Sequence, residues 1–187
     1  MPRGRVILKQ DRFELTLRRL SQQLVENHTD FESSCIIGLQ PRGIALADRI
    51  ISILQRRHKL KSIKYGKLDI TFYRDDYRRR DTPIAASETE MDFLVEGKRV
   101  ILIDDVLYTG RTIQASLAAL QDYGRPSSVE LMTLVDRRFN RHLPIHADYI
   151  GLVVDSLDEA YVKVCWEGTD PRDEVILYPP TSHPKEA

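Results

Sequence analysis

Residues 100–112, VILIDDVLYTGRT, drive four apolar side chains (Val100, Ile101, Leu102 and Ile103) straight into two adjacent carboxylates, Asp104 and Asp105. A short unbroken aliphatic run reads as a strand buried on both faces, as in a parallel sheet covered by helices. Two carboxylates a few ångströms apart repel by roughly 1 kcal/mol or more, depending on the local dielectric. A strand end shaped for stability alone would not carry them, so the pair is expected to hold a ligand.

The residues after the pair narrow the choice of ligand. Val106, Leu107 and Tyr108 lead into Thr109, Gly110, Arg111 and Thr112, where a helix is expected to begin. The first N–H groups of a helix lack intrahelical partners, and the helix dipole favours an anion there. Gly110 lets backbone approach a ligand, and Thr109 and Thr112 add hydroxyl donors. The turn reads as a phosphate cradle, although the GxxxxGK[ST] order is absent. The carboxylates one turn earlier can accept hydrogen bonds from vicinal hydroxyls or orient a hydrated Mg²⁺. Phosphate on one side and a diol on the other describe a ribose 5-phosphate. The plain alternative is a helix cap with two solvated acids.

The rest of the chain alternates strand and helix. Val6–Leu8 is strand-like. A helix follows from near Asp11, where Asp11 and Glu14 resemble a capping box and Phe13, Leu17, Leu20 and Leu24 form one stripe. Ser34–Leu39 is a short buried strand, punctuated by Pro41-Arg42-Gly43. Ile44, Ala47, Ile51 and Leu54 mark a second helix, and Lys67–Phe72 alternates like a strand. Residues 73–96 are polar, charged and poorly periodic, as expected of a long working loop. A helix over Thr109–Tyr123 closes at Gly124 and Pro126, and Val129–Val135 is the next strand. Tyr149–Val154 and Tyr161–Trp166 read as late strands, expected as antiparallel additions. The alternation predicts one α/β domain over residues 1–187, a mostly parallel twisted sheet with helices on both faces. Ligands gather beyond the carboxyl ends of such strands. Asp104-Asp105, Gln40–Gly43 and Asp136-Arg137-Arg138 all fall at such ends.

Composition removes competing classes. Of the 187 residues, 28 are basic and 28 acidic, so no global field draws the protein to nucleic acid or membrane. Cys35 and Cys165 sit in apolar runs without ligand spacing and read as buried thiols in a reducing compartment. No apolar run approaches the ~20 residues of a membrane span, and MPRGRVILKQ has no signal-peptide pattern, so the expected location is cytoplasmic. His28, His58 and His183 read as surface residues, Trp166 as core or interface, and RRHKLKSIK (56–64) as a solvated helix end.

VILIDDVLYTGRT resembles the signature of type I phosphoribosyltransferases, which bind 5-phosphoribosyl 1-diphosphate. CIIGLQPRGIALADRI, KLDITFYRDD, DYGRPSSVELMTLVDRR and LPIHADYIG resemble the matching parts of the bacterial PyrR family, over roughly residues 5–178. Members of that family are uracil phosphoribosyltransferases that also regulate pyrimidine operons by binding messenger RNA. The resemblance implies the type I phosphoribosyltransferase fold, with a flexible lid loop over about 73–96 and a small hood over about 136–170 plus the N-terminal segment. It assigns Asp104 and Asp105 to the ribose hydroxyls and, through the substrate, to Mg²⁺, and Val106–Thr112 to the 5-phosphate. Gln40, Pro41, Arg42 and Gly43 become the pyrophosphate loop, in which Arg42 neutralises the leaving diphosphate. Tyr73, Arg74, Asp75 and Asp76 open the lid, where Arg78–Arg80 either clamp diphosphate or stay solvated. Val135, Asp136 and Arg137 begin the hood that receives the base. Uracil, UMP and a second copy of the chain, as dimer or higher assembly, are the implied partners.

The chain departs from the family in three places. Pro41 stands where the loop commonly has threonine, which removes a hydroxyl and a backbone donor and makes a cis bond accessible. VDRRFNRHLPIH is one residue longer than the usual VDRGHRELPIR, so His146 stands where arginine is common. GLVVDS replaces GKN-PTS, which puts Leu152 in place of lysine and adds Asp155. The last two fall where the family presents RNA-binding residues, so RNA binding is expected to be weakened.

Overall fold

Apolar runs too short to stand alone are stacked side by side in the centre of the molecule. A computed structural model describes residues 4–75, 87–155 and 160–180. The central sheet takes β2 (Ser34–Leu39), β3 (Lys64–Leu68), β4 (Arg99–Leu107), β5 (Ser128–Arg137) and β6 (Tyr149–Val154), in the order β3-β2-β4-β5-β6. Every pairing is parallel. Strand alternation sends Ile101 and Ile103 to one face, against α1 (Gln10–His28) and α2 (Gly43–His58). Val100 and Leu102 go to the other, against α3 (Arg111–Leu120). A second, antiparallel sheet in the order β1-β8-β7 joins β1 (Arg5–Leu8), β7 (Tyr161–Cys165) and β8 (Glu174–Tyr178). It packs on the α1/α2 side through Leu8, Val162, Val164, Trp166 and Val175. Trp166 meets Phe13 edge-to-face at 5.3 Å.

Several sequence expectations are corrected. β4 does not stop at Ile103 but runs through the acid pair to Leu107, because Asp104 keeps its partner Thr133 on β5. β3 lies three residues earlier than its apolar pattern suggested: its register on β2 pairs Cys35 with Lys64 and Leu39 with Leu68. Beyond it Asp69 accepts the Thr71 N–H at 2.5 Å and turns the chain into a 3-10 turn, Thr71–Tyr73. β6 is a parallel edge strand, not an antiparallel addition. Residues 138–148 cross back over the sheet, and Asp148 locks the return by bonding Leu131 through backbone N–H and side chain, both at 2.8 Å. The Asp11–Glu14 capping box does not form; Lys9 is the cap residue, and Asp11 simply sits in the first turn. α3 ends at Leu120, and a 3-10 turn covers Gln121–Tyr123. β8 carried no strand expectation at all.

The return of the polar excursion is anchored. Lys67 and Glu90 exchange backbone hydrogen bonds at 2.9 Å, Val95 is fully buried, and Met91 and Phe93 pack on the α3 side. Asp76 and Arg78–Arg80 lie outside the described residues, as does His183. Both cysteines are free and buried. Among the described residues no helix is long and apolar enough to cross a membrane.

His28, expected on the surface, is buried at the amino end of the sheet. Its Nδ1 meets Ser34 Oγ at 2.8 Å and its Nε2 meets Glu130 Oε2 at 3.0 Å. Burial pushes its pKa down against the charge of Glu130. A neutral ring facing a carboxylate that can only accept must carry its proton on Nε2, so Ser34 donates to Nδ1. Tyr149 donates to Glu130 at 2.5 Å and accepts from Asn27 at 3.0 Å, and Arg99 donates to Glu130 at 2.8 Å. Burial alone would raise Glu130, but bonds from Tyr149 and Arg99 and the influence of His28 outweigh it and hold it below its ordinary value. Glu130→Ala leaves three donors without their acceptor and is expected to cost about 2–3 kcal/mol. Urea unfolding measures this, and ligand affinity at the far end of the sheet should stay unchanged.

Candidate active site

The strand pattern forces the acid pair into the protein rather than onto it. Asp104 and Asp105 are 8% and 4% exposed. Burial pushes both carboxyls well above the ordinary range, and the charge of Asp105 pushes Asp104 further. Arg42 opposes the rise at both, and Arg74 opposes it at Asp104. Asp104 Oδ1 accepts the Asp105 N–H at 3.0 Å. Asp105 Oδ2 is buried with no hydrogen-bond partner among the described residues. An orphaned buried acceptor is costly, and a bound donor or cation would relieve it.

Two loops close on this pair. After β2, the Gln40–Pro41 peptide is cis, and Gln40 Nε2 donates to the Glu88 carbonyl at 2.7 Å. Gly43 opens α2, and a Cβ there would lie 2.3 Å from the Ile103 carbonyl oxygen and 3.1 Å from Asp104 Cα. Only glycine lets the positive end of α2 rest directly on the strand at the acids. After β4, Gly110 takes φ +90° as the cap residue of α3, a conformation that L side chains rarely adopt. Thr109 Oγ1 accepts the Arg111 N–H at 3.4 Å, and the Thr109 carbonyl accepts the His142 and Leu143 N–H groups at 3.0 and 3.3 Å.

Asp136 and Arg137, both buried, stand at the end of β5. Arg137 lies 3.8 Å from the centre of the Tyr108 ring. Arg141 donates to the Tyr108 carbonyl and pairs with Asp136, tying the turn after β4 to the neighbouring strand end. Val135 sits in the α1/α2 core, and Val100–Ile103 are wholly buried beneath the site. Tyr73 bonds Asp122 and Asp75 pairs with Arg111, so residues 73–75 rest against α3 and its following turn. The structure therefore gathers Asp104, Asp105, Arg42 and Arg74 around one centre and sets Tyr108–Thr112 beside it.

Sequence reasoning missed one wall. A cavity of about 340 Å³ is lined by Pro41, Arg42, Ala45 and Asp105 on one side and by Lys163, Trp166 and Asp170 on the other. The only signal was a single lysine within the apolar strand YVKVC. Among the described residues no three His, Cys, Asp or Glu side chains converge on a metal site.

A phosphoribosyl transferase domain model matches residues 5–167. The "Bifunctional protein PyrR" of Synechocystis sp. is 40% identical over 171 residues, 91% of this chain and 94% of that protein. The protein of the same name from Deinococcus radiodurans is 42% identical over 174 residues, 93% and 94% of the two chains. Among solved structures, a hypoxanthine phosphoribosyltransferase from Staphylococcus aureus superposes with TM-score 0.69 at 20% identity, covering 95% of this chain and 93% of that one. The Leishmania tarentolae HGPRT-ase in complex with GMP superposes with TM-score 0.70 at 12% identity, covering 93% and 95%. At such identities the structures speak for the fold alone.

The raised carboxyls have a thermodynamic consequence. Between the ordinary carboxylate range, about pH 4, and their raised values, the folded protein binds more protons than the unfolded chain, so stability falls as pH rises. Without ligand or divalent cation, Asp105→Asn should raise Tm near neutral pH, and the gain should vanish near pH 4 as the carboxyls protonate. Thermal melts across pH check this.

Proposed function

This chain belongs to the phosphoribosyltransferase family and, within it, to the PyrR family, and we propose that it is a uracil phosphoribosyltransferase. It transfers the 5-phosphoribosyl group of phosphoribosyl diphosphate to uracil N1, giving UMP and diphosphate. The observation that carries the reading is the buried Asp104–Asp105 pair, set between the Gly110 turn and Arg42. The pair accepts the two ribose hydroxyls. The amino end of α3, with Thr109 and Thr112, takes the 5-phosphate. Arg42 faces the diphosphate as charge builds on it, and the carboxylates ease the positive charge that develops at C1. Asp136 and Arg137 border the base. The lid segment opened by Tyr73–Asp76 keeps water from the cation. No covalent nucleophile is required.

Mg²⁺ fits this donor set: one or two carboxylates plus substrate oxygens are what it prefers, and Asp105 Oδ2 lacks a protein partner among the described residues. When bound, the ion supplies charge neutralisation at the diphosphate.

Uracil, hypoxanthine, guanine, adenine and orotate, each supplied with the diphosphate donor and Mg²⁺, test the assignment. Turnover with uracil is expected; turnover with a purine alone would replace it with a salvage enzyme for another base. Asp105→Asn should lower kcat with uracil by about 10² or more while the protein stays folded.

A second activity, regulation through pyrimidine-operon RNA, is proposed in weakened form. Arg138 is held by Asp155 through two bonds of 2.8 Å, and Arg141 turns inward to Asp136. Leu152 carries no charge. Cations already paired within the protein release fewer counterions from a phosphate backbone. Binding to the leader RNA of its own operon is expected to be weak, strongly salt-sensitive and little better than to a scrambled hairpin. Filter binding at physiological salt decides this; nanomolar, UMP-enhanced preference for the leader would make the chain a full regulator.

A further inference from the structure

The cavity between the pyrophosphate loop and the small sheet borders the acid pair but lies apart from the phosphate turn. Its inner wall is Arg42 and Asp105; its outer wall is β7 and the turn after it, with Lys163, Trp166 and Asp170. The two walls touch, since Arg42 donates to the Tyr161 hydroxyl at 3.5 Å. Tyr161 and Lys163 are two residues apart on β7 and so share a face.

The outer wall is built, not loose. Asp170 holds Lys163 Nζ at 2.9 Å with one carboxylate oxygen and accepts the Trp166 N–H at 3.1 Å with the other. The backbone N–H groups of Thr169 and Asp170 return to the Trp166 carbonyl at 3.1 and 2.8 Å. Two polar atoms of lining residues lack protein partners among the described residues: Asp105 Oδ2 and the indole Nε1 of Trp166. An unsatisfied acceptor and an unsatisfied donor beside one cavity suit a polar occupant. Arg42 and Lys163 stand against the carboxylates of Asp105 and Asp170 in this lining, and their ionic donor hydrogens suit an anionic group that can compete for them.

We infer that Lys163 is a second cationic ligand for the diphosphate end of the donor, facing Arg42 across this cavity, with Trp166 beside the bound anion. The inference rests on the proposed transferase activity, and it assigns to the antiparallel sheet a part in gripping the leaving group. Lys163 leaves Asp170 or shares itself with it when the anion enters. Its side chain is 36% exposed, so it has room to do so.

Trp166 is the one tryptophan of the chain, so its emission reports on this cavity directly. The full-length protein, with Mg²⁺ present, is titrated with inorganic diphosphate and separately with ribose 5-phosphate, by fluorescence and by calorimetry. Diphosphate is expected to change Trp166 emission. Lys163→Met should weaken diphosphate about tenfold and leave ribose 5-phosphate unchanged, whereas Lys163→Arg, which keeps the charge, should bind diphosphate nearly as the parent does. Unchanged diphosphate affinity in Lys163→Met, or equal losses in the Met and Arg variants, overturns the role of Lys163 while the transferase reading stands. If the parent binds neither ligand, both fall together.

Discussion

Everything at the carboxyl end of the sheet depends on one contact, the first residue of α2 seated on the backbone of β4. With glycine at position 43, the amino end of the helix comes within reach of the Ile103 carbonyl and Asp104 Cα, a space that any Cβ would occupy. That contact buries the acid pair and aims a positive helix end at it. It also carries Arg42, the residue before the helix, to a position where its charge is felt by both carboxylates. The central position of β4 completes the arrangement. Its neighbours β2 and β5 run the same way, so the loops that follow all three strands open onto one surface.

The two ends of this sheet are balanced differently. At the amino end, His28, Ser34, Glu130, Tyr149, Asn27 and Arg99 bond to one another, so burial of polar groups costs little. At the carboxyl end, two carboxylates are buried side by side and one oxygen has no protein partner among the described residues. Polar capacity is met at the amino end and unmet at the carboxyl end, as expected of a site that keeps its interactions for a ligand.

The acid pair and the turns after β2 and β4 were legible because each is local: an apolar run, a change of character and a turn residue within a dozen positions. β2 was read to the residue for the same reason, being six buried residues between polar boundaries. Strand direction was not legible for β6. It depends on residues 138–148 crossing the sheet without an α-helix and on Asp148 gripping Leu131, neither of which leaves a periodic trace. His28 misled because a histidine near a helix end looks solvated until Glu130 and Tyr149, more than a hundred residues later, arrive beside it. Lys163 was invisible for the opposite reason: nothing in YVKVC says which wall its one charge faces.

Charge in this molecule is organised by pairing rather than by excess. The 28 basic and 28 acidic residues cancel, and the pairing reaches into the site. Arg141 joins the carbonyl of Tyr108 to the carboxylate of Asp136, while Arg137 covers the Tyr108 ring. The turn that would take the phosphate and the strand end that would border the base are thus one mechanical unit, held by arginines at the end of β5 and in the segment after it. The segment after β5 carries two arginines, Arg138 and Arg141. Here its guanidiniums at 138 and 141 are committed to Asp155 and Asp136. A cation that fixes a phosphate turn cannot at the same time lie open on a surface. In this chain, the arginine that braces the turn after β4 does so at the expense of a basic face.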